Sequence, residues 1–258
     1  IKYYQIIKKQ NLKSLRELVW LNLQIIDSEL LRYFRRFNFF VKDIMDYMLP
    51  EITILTPVFE RSEFLKIYLS NVCAQDYPKD KIKVLIHECK SNNPFIKDTD
   101  IATIRRNLHP IQIKHCVDFS GRKTIGEKRN WLVKNCETEW FMFFDSDDIY
   151  LPTALKHSVE GLINSERKIA GSTQMIFCYP LHDFATTMIS CGDEKTMIHE
   201  ATLCSTRSFF KKHKLKFKNT SRGEFEGLLN NVQNKDVLLT NICYIMMCLC
   251  HKGNSVDK

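Results

Sequence analysis

The residues best suited to chemistry lie in Phe141-Met142-Phe143-Phe144-Asp145-Ser146-Asp147-Asp148, where an apolar run of strand character passes directly into three carboxylates. Carboxylate and phosphate oxygens are hard ligands, so an Asp-x-Asp at this point could hold Mg²⁺ or Mn²⁺ against a diphosphate. A cation placed there would neutralise the charge that grows on a departing diphosphate. Acids that follow a strand also cap the next helix, and the motif alone does not separate the two uses.

Such a motif needs a scaffold that gathers the ends of its strands at one edge. Ile52 to Val58 is a β-branched apolar run, Phe64, Leu65, Tyr68, Leu69 and Val72 recur at helical spacing, and Ile82 to Ile86 is apolar again. The pattern then predicts a strand over Ile111–Val117, a helix over Ile125–Cys136, a strand over Trp140–Phe144 and a helix from Pro152 to Ile163. Thr124 and Glu127 have capping-box spacing, and Pro152 suits a first helical turn. Alternation of this kind predicts an α/β fold with a mainly parallel sheet flanked by helices, whose ligands sit beyond the carboxyl ends of the strands. After Lys168, Ile169–Tyr179 and Thr186–Ser190 read as extended, Thr206–His213 and Glu224–Val232 as helical, and Val237–Cys250 as buried strand.

In order and spacing, Ile52-Thr53-Ile54-Leu55-Thr56-Pro57-Val58-Phe59, Thr124-Ile125-Gly126-Glu127-Lys128-Arg129-Asn130 and Asp145-Ser146-Asp147-Asp148 resemble glycosyltransferase family 2. The resemblance continues through His199-Glu200-Ala201-Thr202, Arg207 and Gly223-Glu224-Phe225-Glu226-Gly227 to His251-Lys252-Gly253-Asn254, so it covers about Glu51 to Asn254. It implies a GT-A, Rossmann-like fold and a metal-dependent enzyme that moves a sugar from a nucleotide-diphosphate donor to an acceptor hydroxyl. By the same resemblance Thr56, Pro57 and Phe59 lie beside the nucleotide, Glu88 stands near its base, Arg129 approaches the donor, and Asp145 and Ser146 contact it. Asp147 and His251 would hold the divalent cation, Mn²⁺ or Mg²⁺. An inverting member needs a carboxylate to receive the acceptor proton, for which Glu226 is the first candidate and Glu224 the second. The chain departs from the family's Glu-Asp pair here, because Phe225 separates the two glutamates, and its terminal His-Lys-Gly-Asn is displaced by one residue. His182, Asp183, His199 and Glu200 could shape an acceptor pocket.

Composition bounds the rest. Hydrophobic residues at 44% and charged ones at 26% exclude disordered and collagen-like classes, so the chain is expected to fold. Residues 1–50 form one expected unit and 51–258 another: Lys2 to Leu49 has helical spacing, lacks Gly and Pro, and carries nine Lys/Arg against five Asp/Glu. Tyr33, Phe34, Phe37, Phe39 and Phe40 crowd around Arg32, Arg35 and Arg36 there, a face that could meet an upstream domain, a partner or a membrane surface. The near-apolar run Tyr244–Cys250 is far short of the ~20 residues that span a bilayer. Ten cysteines without a CxxC pair point to reduced thiols and a cytoplasmic, at most membrane-peripheral, protein. The start at Ile1 and the lack of a signal-peptide pattern suggest a fragment of a longer protein. A net charge of +8 suits an anionic nucleotide sugar, and nucleic acid is not expected because acids match the cations along most of the chain. The competing readings are a basic aromatic module, binding nucleic acid or a membrane surface, on a catalytically silent scaffold, and a nucleotidyltransferase. The latter lacks a G-x-x-x-x-G-K-[ST] phosphate loop in this chain.

Overall fold

Seven consecutive residues of β1 (Ile52–Val58) are buried or nearly so, because parallel strands lie on both sides of it and helices cover both faces. Period-two alternation splits its side chains between two cores. Ile52 and Ile54 join Tyr68, Val72 and Met142 on one face, while Leu55 joins Leu132, Phe141 and Phe143 on the other. The computed structural model describes residues 46, 48–192 and 194–251. The chain divides after Met48 into two units, and the helices expected over residues 1–50 fall almost wholly outside the described residues.

After β1 the order is α1 (Leu65–Ala74), β2 (Ile82–Cys89), α2 (Asp98–Leu108), β3 (Gln112–Asp118), α3 (Ile125–Asn135) and β4 (Trp140–Phe143). Strands β3, β2, β1 and β4 are neighbours in that order and all parallel, with Ile52 opposite both Ile82 and Trp140. The capping box that opens α3 is present: Thr124 Oγ1 accepts from Glu127 N and Glu127 Oε2 accepts from Thr124 N. Helix α2 went unread in the sequence, although Ile101, Ile104 and Leu108 keep helical spacing between acids in its first turn and arginines in its last.

The second half is α/β of a less regular kind. It runs β5 (Ile149–Tyr150), α4 (Ala154–Ser165), β6 (Ile169–Gly171), β7 (Gln174–Tyr179), β8 (Ala185–Ser190), β9 (Cys204–Thr206), α5 (Arg207–Lys212), β10 (Val237–Leu239) and β11 (Met246–Leu249). β9 inserts antiparallel between β4 and β6, completing a seven-stranded sheet ordered β10-β6-β9-β4-β1-β2-β3, and a smaller sheet is ordered β5-β11-β7-β8.

Two expectations fail here. Glu224–Val232 is a chain of turns, not a helix: Gly223 and Gly227 sit at φ of +65° and +81°, and each turn closes by a bond to the third residue back. Phe225, Leu228, Leu229 and Val232 are buried with helical spacing, which is why the sequence imitates a helix. Val237–Cys250 is not one strand, because Asn241 Oδ1 accepts from Cys243 N and turns the chain, sending β10 into one sheet and β11 into the other.

Candidate active site

The acidic loop begins where β4 leaves the core, at the carboxyl edge shared with β1 and β2. Phe144 stacks on Tyr150 with centroids 3.7 Å apart, and the Tyr150 hydroxyl accepts from Asp145 N at 2.8 Å while donating to Ala201 O at 2.9 Å. One phenol therefore fixes where the loop starts. Asp148 closes it from the other end: its Oδ1 accepts from Leu249 N, and its carbonyl accepts from Asn71 Nδ2. The third carboxylate is thus a structural group, buried to 4% exposure.

The other two face different partners. Asp145 takes both its contacts from Arg129 Nη2, at 3.0 and 3.1 Å. Arg129 is buried under α3 with its guanidinium 4.8 Å from the Phe143 ring centroid, its Nε reaches Glu224 Oε1 at 3.5 Å, and its Nη1 is buried without a hydrogen-bond partner. Burial opposes the charge on Arg129, yet Asp145, Glu200 and Glu224 outweigh it and hold the guanidinium firmly ionised. Asp147 accepts at Oδ2 from Arg61 Nε at 2.9 Å and lies 3.1 Å from His251 Nε2. Burial pushes its carboxyl up, but His251 and Arg61 together bring it below the usual carboxylate range.

Glu224 and Glu226 are separated by their surroundings. Glu224 is buried beside Arg129 and Glu200, and burial followed by the Glu200 charge raises its carboxyl above the ordinary value against the pull of Arg129. Glu226 points outward with its side chain 77% exposed and pairs with Lys218 at 2.8 Å. Phe225, the residue between them, is buried in the core and turns the two carboxylates to opposite sides. The two candidate bases thus differ in burial and in partners, Glu224 facing Arg129 and Glu226 facing Lys218.

Residues 53–218 match the pattern of glycosyl transferase family 2. The chain belongs to that family. An uncharacterized glycosyltransferase of Rickettsia conorii is 25% identical over 128 residues, 48% of this chain and 20% of that protein. Among solved structures, S. aureus TarS 1-349 in complex with UDP-GlcNAc superposes with a TM-score of 0.57 at 16% identity, covering 79% of this chain and 60% of that one. The same TarS fragment in complex with UDP gives 0.55, covering 78% and 60%. These likenesses establish a GT-A fold, and the chain spans only a part of each relative's length.

Against the family expectation, the structure gathers Arg129, Asp145, Ser146, Asp147, Glu224 and His251 around the end of β4, with Ser146 buried in the loop. Pro57 and Phe59 leave β1 half-buried at the same edge, and Phe59 lies under two cations, Arg122 at 4.5 Å and Lys128 at 5.3 Å. Two expected nucleotide contacts are committed elsewhere. The Thr56 hydroxyl is buried against Tyr68 Oη at 2.8 Å, and Glu88 spends one oxygen on Phe95 N at 2.7 Å and the other on His115 Nε2 at 2.8 Å. Buried polar groups seek such partners, and the Thr56 hydroxyl and both Glu88 oxygens have them.

Arg61, Phe64, Tyr150 and Glu200 join the site without a sequence motif to announce them, apart from Glu200 in its His-Glu-Ala-Thr run. Among the described residues no group of three or more His, Cys, Asp or Glu is placed to hold a metal. Asp147 with the imidazole of His251 is nevertheless a donor pair that fits Mn²⁺ or Mg²⁺, which take few protein ligands and complete their shell with phosphate oxygens and water. An open cleft of about 1000 Å³ lined by Trp140, Lys168, Thr206, Lys212 and Asp236 lies at the amino ends of the strands, the edge where such sheets do not bind their ligands. All ten cysteines are free thiols, and no described helix is long and apolar enough to cross a membrane.

Proposed function

We propose that the carboxyl edge of the large sheet binds a nucleotide-diphosphate sugar with a divalent cation and transfers the sugar to an acceptor hydroxyl with inversion. The observation that carries this reading is the difference between the partners in the acidic loop: Asp145 is held by the sealed Arg129, whereas Asp147 is shared between His251 and Arg61, which are themselves partly open. The TarS complexes carry UDP-GlcNAc or UDP, which supports a nucleoside-diphosphate donor.

Each group then has a task. Phe59 offers an aromatic face to the nucleoside beside Arg122, whose charge favours an anionic ligand. Arg129 orients Asp145 and keeps one buried charged N–H donor to be satisfied by ligand or water. Asp147 and His251 would hold Mn²⁺ or Mg²⁺, whose bound charge would stabilise the departing diphosphate. Glu224 replaces Glu226 as the base: its carboxylate receives the acceptor proton as the acceptor oxygen bonds to the anomeric carbon. The electron pair of the broken carbon–oxygen bond leaves with the diphosphate. A carboxyl raised by burial is the stronger base once ionised, which suits that role.

A donor screen with Mn²⁺ or Mg²⁺, reading released nucleoside diphosphate and donor-induced thermal shift together, tests the reading. One donor is expected to give metal-dependent release, and Asp147→Asn is expected to lower it by ~10²-fold or more. Full metal-dependent activity in Asp147→Asn would sink the assignment.

A further inference from the structure

The corner that follows β1 is bent in an unusual way. Glu60 has φ of +52°, a left-handed conformation that costs a residue with a side chain of the order of 1 kcal/mol and is tolerated where something is gained by it. The bend turns Arg61 across the acidic loop, where its Nε meets Asp147 Oδ2 at 2.9 Å and its Nη1 donates to Glu60 O at 3.1 Å. Three residues on, the Phe64 ring lies against the His251 ring with centroids 4.5 Å apart, and His251 Nε2 approaches the same oxygen of Asp147. Residues 60–64 thus address both members of the donor pair.

We infer that Arg61 is a diphosphate-binding residue, held on Asp147 while the site is empty of donor and exchanged onto the diphosphate when the donor binds. The inference rests on the proposed donor reading of Asp147. A divalent ion held by Asp147 would repel the guanidinium 2.9 Å from its Oδ2, so metal binding weakens the Arg61 contact. The diphosphate is the anion that arrives with the metal, and a guanidinium loosened from Asp147 is drawn to it. Its planar fork matches phosphate oxygens in a way that a lysine ammonium does not. The side chain is 19% exposed, so it has solvent to move through, whereas Arg129 is sealed at 2%.

The test compares the wild type with Arg61→Gln, Arg61→Lys and Arg61→Ala in the full chain. Mn²⁺ binding is measured alone by the paramagnetic signal of the free ion, and UDP, UMP, GDP and GMP binding is measured by calorimetry with Mn²⁺ present. Arg61→Ala and Arg61→Gln are expected to bind Mn²⁺ alone at least as tightly as the wild type. Their preference for the diphosphate over the monophosphate is expected to shrink by about tenfold, with Arg61→Lys between. Arg61→Gln can keep a hydrogen bond to Asp147, so a change in that preference cannot be ascribed to a collapsed loop if its unfolding midpoint matches the wild type. An unchanged diphosphate preference in both variants, or a loss of Mn²⁺ binding with it, would show Arg61 to be a brace for Asp147 and overturn the inference. A wild type that binds none of these diphosphates, tested also across the remaining nucleoside diphosphates, would instead overturn the donor reading on which it rests.

Discussion

One buried arginine, Arg129, holds both Asp145 and Glu224, and the consequences are best seen at Glu224. Its carboxyl is raised first by burial and then by Glu200, with Arg129 acting in the opposite direction. A base works only when ionised, so the acid limb of kcat/KM is expected to lie above the ordinary glutamate range, with activity lost as pH falls through the raised value. Removing the neighbouring charge should lower that value: Glu200→Gln is expected to move the acid limb to lower pH while leaving Glu224 able to accept a proton. Glu224→Gln should depress turnover by ~10²-fold or more with donor affinity nearly intact, and Glu226→Gln should leave the rate unchanged. A pH–rate series on the three variants checks all of this. If Glu226→Gln proves to be the slow variant, the base assignment returns to the outward carboxylate.

At the scale of elements, the site depends on how closely α3 packs on the turn-rich segment that carries Glu224. Gly126 in the first turn of α3 donates its N–H to Thr220 O, and a Cβ added there would stand 1.7 Å from Lys218 O and 3.1 Å from the Glu224 Cβ. Lys218 N in turn donates to Glu224 O. The contact is backbone against backbone, so no side chain can swing aside. Gly126→Ala is therefore expected to destabilise the protein by ~1–3 kcal/mol, as overpacking does, and to disturb catalysis beyond that loss by pushing Glu224 away from Arg129. Urea unfolding together with turnover of the folded fraction separates the two effects. A variant as stable and as fast as the wild type would show that the segment can retreat without cost.

The molecule as a whole places its proposed chemistry in the unit that starts at Leu49. Leu49 is buried, its carbonyl accepts from Lys81 Nζ, and the Pro50 carbonyl accepts from Tyr77 Oη, so the start of this unit is tied into its own core. A chain beginning at Leu49 is expected to fold and to bind donor as the full chain does, measured by donor-induced thermal shift. Loss of donor binding in a folded truncated chain would assign part of the site to the first 48 residues.

What the sequence determined by itself is the parallel half of the fold and the place of its ligand edge. Strands β1, β2, β3 and β4 and helices α1 and α3 rest on local patterns, in which an apolar run, a capping box or a period of 3.6 is visible to a reader of neighbouring residues. The acid cluster at the end of β4 was legible for the same reason. Tertiary structure decided the partners of the individual carboxylates, because each partner lies far along the chain. Asp145 depends on Arg129, Asp148 on Leu249, Asp147 on Arg61 and His251, and Glu224 on Glu200 and Arg129. It also decided that Glu224 turns inward and Glu226 outward, since two glycines at positive φ replace the helix that the apolar spacing suggested. Periodicity reports which residues are buried, whereas the charge and reach of a side chain are set by what is packed against it, and that information is not local in the chain.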